Sequence, residues 1–250
     1  MTSMRITKPI LLIQSRPETA VSDSEYEATC RFGGLAPEQV KRLRAETGEL
    51  EPVDLAEYSA IIMMGGPGHF AEEEQRSDEW QAFEAWLLPL LRRAIDENVP
   101  YLGVCLGLGA ILTAAGKRPS FQYKEPVGPA NIELLPAAMD DVLLRGIPRQ
   151  FEAIVGHTEG YVDAPEEAVV LARNDSAIQM VRLGQCAYGL QFHPELDAAG
   201  VELRIHAYAH AGYFAPEQEQ TLAEMLRSVQ TVYPQMILKR FVELYVAKNE

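Results

Sequence analysis

Cysteine is scarce in this chain: three among 250 residues, Cys30, Cys105 and Cys186, with no C-x-x-C spacing. A disulfide framework and a zinc ribbon are thereby excluded, and each thiol has to be judged by its own surroundings. Long hydrophobic runs are also missing. Stretches such as residues 10–13 and 60–64 are far too short to cross a bilayer, and the N-terminus shows no signal-peptide pattern, so a cytoplasmic location without membrane contact is expected. Positive charge is in deficit, with 22 Lys and Arg against 36 Asp and Glu and a formal net charge of -14 at pH 7. Such a surface repels phosphate backbones, and the small cluster Lys41, Arg42 and Arg44 does not reverse that, which argues against nucleic-acid binding. There is no Walker loop and no G-x-G-x-x-G after a strand, so neither a nucleotide site nor any other cofactor is expected.

What is present suits a globular α/β protein: 47% hydrophobic and 23% charged residues, enough to bury a large core in one domain. Residues 8–14 form an apolar run typical of a strand buried on both faces. A helix is expected over 23–32, stopped by Gly33-Gly34, then a second strand over 40–45. A third apolar run, 58–64, ends in Gly65-Gly66-Pro67-Gly68, where backbone can approach a ligand closely. Trp80, Phe83, Leu87, Leu90, Leu91 and Ile95 recur at helical spacing over 78–97, and a strand follows over 99–104. This alternation predicts an open, mostly parallel sheet flanked by helices, with ligands beyond the carboxyl ends of the strands. Between 121 and 192 the texture changes to short alternating runs, including 168–172, 177–183 and 187–192, read as added strands and hairpins. Helical patterning returns over 202–211, 216–229 and 234–247.

Chemistry concentrates at two places. Gly103-Val104-Cys105-Leu106-Gly107 joins a strand to a helix expected over 108–115, with a glycine on each side of the cysteine. A sharp strand-to-helix turn of this kind lifts a nucleophile into a strained backbone geometry, and the helix N-terminus beneath it favours thiolate and offers N–H groups to an oxyanion. Cys30 and Cys186 have no such setting and are read as structural. Further along stands Gln191-Phe192-His193-Pro194-Glu195. Residues two apart in an extended segment project to one side, so Glu195 can orient His193 as the base for Cys105. The order nucleophile, histidine, acid differs from that of α/β-hydrolases, in which the acid precedes the histidine.

Taken together, the G-G-P loop, the G-x-C-x-G elbow and the Q-F-H-P-E segment resemble class I glutamine amidotransferases, and most closely the stand-alone, GMP-synthase-like members. The resemblance covers about residues 9–195. It implies a flavodoxin-like amidotransferase fold with extra C-terminal helices over about 196–250, a Cys105-His193-Glu195 triad, and an oxyanion hole made by the backbone N–H groups of Gly66 and Leu106. It also implies hydrolysis of the glutamine side-chain amide through a glutamyl thioester. Ammonia would then pass to a partner synthetase, since about 55 residues after Glu195 are too few for a synthetase domain. One departure concerns substrate: the family's elbow continues to a glutamine four residues past the nucleophile, where this chain has Gly109. A second is Pro126-Val127-Gly128, where many members carry an acidic residue before a similar apolar-glycine pair.

Gly65, Gly109 and His157, the last in Gly156-His157-Thr158-Glu159-Gly160, are the remaining candidates for contact with substrate. His206 and His210 have zinc-compatible spacing but no evident third ligand, so no metal site is expected. The run Glu72-Glu73-Glu74 reads as a solvated loop. The aromatic and methionine residues within 208–214 and 236–245 read as core or as contacts in a homo-oligomer. Two other functions fit the same residues: a γ-glutamyl hydrolase or peptidase, whose pocket Gly109 would enlarge, and a noncatalytic regulatory protein of the same fold.

Overall fold

A computed structural model of the protein describes residues 8–48, 50–71, 76–208, 217 and 219–246. Nine strands form one sheet: β1 (Ile10–Gln14), β2 (Val40–Arg44), β3 (Ala60–Met63), β4 (Tyr101–Val104), β5 (Glu125–Leu134), β6 (Gln150–His157), β7 (Ala168–Arg173), β8 (Ile178–Leu183) and β9 (Ala187–Leu190). Their order is β2-β1-β3-β4-β9-β8-β7-β5-β6. Neighbours from β2 through β4 to β9 pair in parallel, and those from β9 through β8, β7 and β5 to β6 pair antiparallel. The expected mostly parallel sheet is thus a mixed one, in which the parallel half carries the elbow. The late hairpins extend that sheet instead of forming a second one.

Alternation along the parallel strands builds two cores. Ile10, Leu12, Ile62, Leu102 and Val104 face one layer, and Leu11, Ile13, Ile61, Met63 and Tyr101 face the other. Helices α1 (Thr19–Gly33) and α6 (Val232–Tyr245) cover the first face, while α2 (Asp78–Asp96) and α3 (Leu106–Ala114) cover the second. Both faces of β1 and β3 are therefore dry, the reason these strands read as continuous apolar runs. Gly34, at φ 69°, ends α1 in the left-handed conformation that glycine adopts without steric cost. Two further helices, α4 (Ala198–Tyr208) and α5 (Glu219–Arg227), share a smaller apolar cluster with Ile154 and Leu196.

Cys30 and Cys186 are buried, and burial pushes both thiols up from their ordinary range. Met236 is packed against the first core, and Ile237, Leu238, Phe241 and Val242 of α6 are buried within it. The basic cluster of β2 is partly occupied by acids: Arg42 pairs with Asp23, and Arg44 with Glu46. No helix among the described residues is long and apolar enough to cross a membrane. Glu72-Glu73-Glu74, His210 and residues 209–214 lie outside the described residues.

Candidate active site

Cys105 follows β4 directly and caps α3 with φ 51° and ψ -98°, a strained conformation for a residue with a Cβ. The turn is possible because Gly103 and Gly107 press together: a methyl on Gly103 would lie 2.4 Å from Gly107 O, and one on Gly107 would lie 2.6 Å from Met63 O. The Tyr101 hydroxyl donates to Gly107 O at 2.7 Å, and Cys105 N donates to Leu190 O at 2.7 Å, which locks the elbow between β4 and β9. Leu106 opens α3, so its amide has no acceptor within the helix.

Because β9 lies beside β4, the residues after β9 arrive next to Cys105. His193 and Glu195 stand there in a turn, not in the extended strand that the sequence suggests, and His193 Nδ1 donates to Glu195 Oε1 at 2.8 Å. Gly65 sits between the two chemistries: a methyl there would be 2.9 Å from His193 Cε1 and 3.4 Å from Cys105 Cβ. Burial works against a charged His193, but Glu195 and Cys105 outweigh it, and the imidazole is pushed up to about 9. Burial opposes the Glu195 charge as well, yet His193 and Arg204 hold that carboxylate well below its ordinary value.

Two cavities meet at Cys105, sharing Gly66 and Gly156. The smaller is lined by Leu106, Gly109, His157, Glu159, Tyr161 and Gln191. The space beside Gly109 is already claimed: a methyl there would lie 3.2 Å from both Glu159 Oε1 and Phe70 Cδ2. Glu159 accepts from Phe70 N and from Ala71 N at 2.7 Å, tying the stretch after the G-G-P loop to this wall, and burial pushes its carboxyl up. His157 uses both ring nitrogens on protein, Nε2 with Glu125 at 2.8 Å and Nδ1 with Glu159 O at 2.7 Å, so the ring is held as part of the wall. Burial opposes the charge of Glu125, but His157, Asn174 and Gln179 lower its carboxyl.

Several of these groups escape sequence reading. Arg16 has a positional signal, since it stands just past the carboxyl end of β1, where sheets of this kind bind ligands. Glu25 and Arg204 have none. Glu25 is fully buried and accepts from Gln14, Arg16 and Arg204, and Arg204 also donates to Glu195 Oε1 at 2.8 Å. Arg204 Nη1 also approaches His193 Nδ1 to 3.2 Å, a cation contact because that N–H is directed to Glu195. His206 pairs with Glu219 at the surface, and no group of three or more metal-ligating side chains occurs among the described residues.

The family profile described as Glutamine amidotransferase class-I matches residues 27–202. This chain belongs to the class I glutamine amidotransferase family. The glutamine-hydrolyzing GMP synthase of Thermosipho melanesiensis is 30% identical over 63% of this chain and 30% of its own length. A glutamine-hydrolyzing GMP synthase subunit from Pyrococcus abyssi is 28% identical over 67% of this chain and 80% of its own. Against the first of these, and against the Aquifex aeolicus GMP synthase matched over 24% of its length, the chain spans a third of the relative or less. A glutamine amidotransferase structure from Thermotoga maritima superposes with a TM-score of 0.70 at 22% identity, covering 94% of this chain and 98% of that one. One from Methylobacillus flagellatus gives 0.72 at 19% identity, covering 97% of each, and both show the same fold.

Proposed function

We propose that the protein hydrolyses the side-chain amide of glutamine, with Cys105 as nucleophile, His193 as acid and base, and Glu195 as its orienter. The observation that carries this reading is the convergence of a strained cysteine at the end of β4 with a buried His-Glu pair at the end of the adjacent strand β9. The Cys105 sulfur attacks the amide carbon, and the amide N–H groups of Leu106 and Gly66 receive the negative charge that develops on oxygen. As the C–N bond breaks, His193 gives its proton to the departing ammonia. It then takes a proton from water, which attacks the thioester and returns Cys105 and glutamate. Gly65, Gly109 and His157 stand around the reacting centre as elements of the glutamyl pocket.

Family membership and the similarity to the Pyrococcus abyssi GMP synthase subunit support delivery of the ammonia to a synthetase partner in the same compartment. The chain is read as one catalytic domain in which α4, α5 and α6 complete the fold. An electrophilic glutamine analogue is expected to label Cys105 alone, and Cys105→Ala to abolish both labelling and glutamate release. A folded protein that gains no adduct at Cys105 sinks the proposal and favours a regulatory role.

A further inference from the structure

Resting on that assignment of Cys105, we infer that the larger cavity is a chamber for the leaving group, and that the enzyme takes γ-glutamyl amides of apolar amino acids as well as glutamine. This cavity, open to solvent on one side, meets the glutamyl pocket at Cys105. His193, the group that protonates the departing nitrogen, lines this cavity and not the smaller one. The leaving group therefore exits here. Ammonia needs no apolar wall, yet Val127, Ile154, Val201, Ile205 and Leu226 line one side of it.

One polar feature selects among amines. Arg16 is 7% exposed and lines the chamber; its Nε donates to Glu25 at 3.1 Å and its Nη1 to the Tyr208 hydroxyl at 2.9 Å. Its Nη2 makes no hydrogen bond among the described residues and lies 3.1 Å from where a methyl on Gly65 would sit, beside the reacting atoms. A guanidinium N–H in that position suits a carboxylate carried by the departing amine. Arg16, Arg204, Ile205, Tyr208 and Leu226 all fall outside the matched family region of residues 27–202. The reaction balances as for glutamine: the C–N bond breaks, His193 protonates the amine, and water cleaves the thioester to release glutamate and the free amino acid.

The test measures glutamate release by the full chain from glutamine, from γ-glutamyl-leucine, and from the γ-glutamyl amide of 3-methylbutylamine, which lacks the carboxylate. Burying an isobutyl group should raise kcat/KM for γ-glutamyl-leucine above that of glutamine by roughly 10-fold or more. Loss of the carboxylate should remove roughly 10- to 100-fold of the γ-glutamyl-leucine rate. Leu226→Trp and, independently, Val201→Phe should fill the chamber and lower the ratio of γ-glutamyl-leucine to glutamine turnover in folded protein. A kcat/KM for γ-glutamyl-leucine equal to or below that of glutamine overturns the chamber while leaving the glutaminase standing. Equal rates with and without the carboxylate overturn the role given to Arg16. If no substrate is cleaved and Cys105 takes no label, the parent reading fails and this one with it.

Discussion

Gly103 meets the carbonyl of Gly107 so closely that no side chain fits, and the obstacle is backbone, which cannot swing aside. Gly103→Ala is expected to destabilise the fold by roughly 1–3 kcal/mol, measured by denaturant unfolding, and to lower Cys105 labelling in the protein that still folds. His193 makes a prediction with a defined sign. Its folded value of about 9 lies above its ordinary 6.5, so the protonated ring stabilises the native state. That contribution is fully present below pH 6.5 and is lost as pH rises through 9. Thermal unfolding should show the decline across this window, and His193→Gln should flatten it. At this scale the glycines, Cys105, His193 and Glu195 were legible because each occupies a short local pattern. Glu25 and Arg204 were not, since their pairing joins α1 to α4 and leaves no local spacing to read.

Among the elements, β1, β3 and α2 declared themselves by unbroken apolar runs or by helical periodicity. β5 did not. Pro126, Gly128 and Pro129 interrupt its alternation, and its register against β6 shifts between Glu125 and Gly128. The start of α1 was also hidden, because Thr19 begins it without a side-chain cap at Glu18. α6 is the most deeply seated of the C-terminal helices, and Phe241→Ala there should cost about 3–5 kcal/mol in unfolding free energy. Among the described residues, α4 and α5 rest on a cluster of six buried ones. Hydrogen exchange should therefore be faster in α4 and α5 than in α1 or α6, and the reverse order would show that the small cluster is not what limits them.

Across the whole molecule, alternate residues of β1, β3 and β4 serve both cores, so neither layer can melt and leave the other intact. Scanning calorimetry is expected to record one transition. Two transitions, with the C-terminal helices lost first, would divide the chain near residue 195 instead. The α/β class was readable from the sequence, whereas the insertion of β9 between β4 and β8 was not, because pairing order is set by long-range contacts. That insertion has a consequence for synthesis. Cys105 and His193 lie 88 residues apart in the chain (193 − 105), and only the arrival of β9 beside β4 brings them together. A chain still emerging from the ribosome, complete through β8, carries Cys105 without the His193-Glu195 pair beside it. Under the proposed function its thiol stays idle until the last strand slots home, and the unfinished protein consumes no substrate.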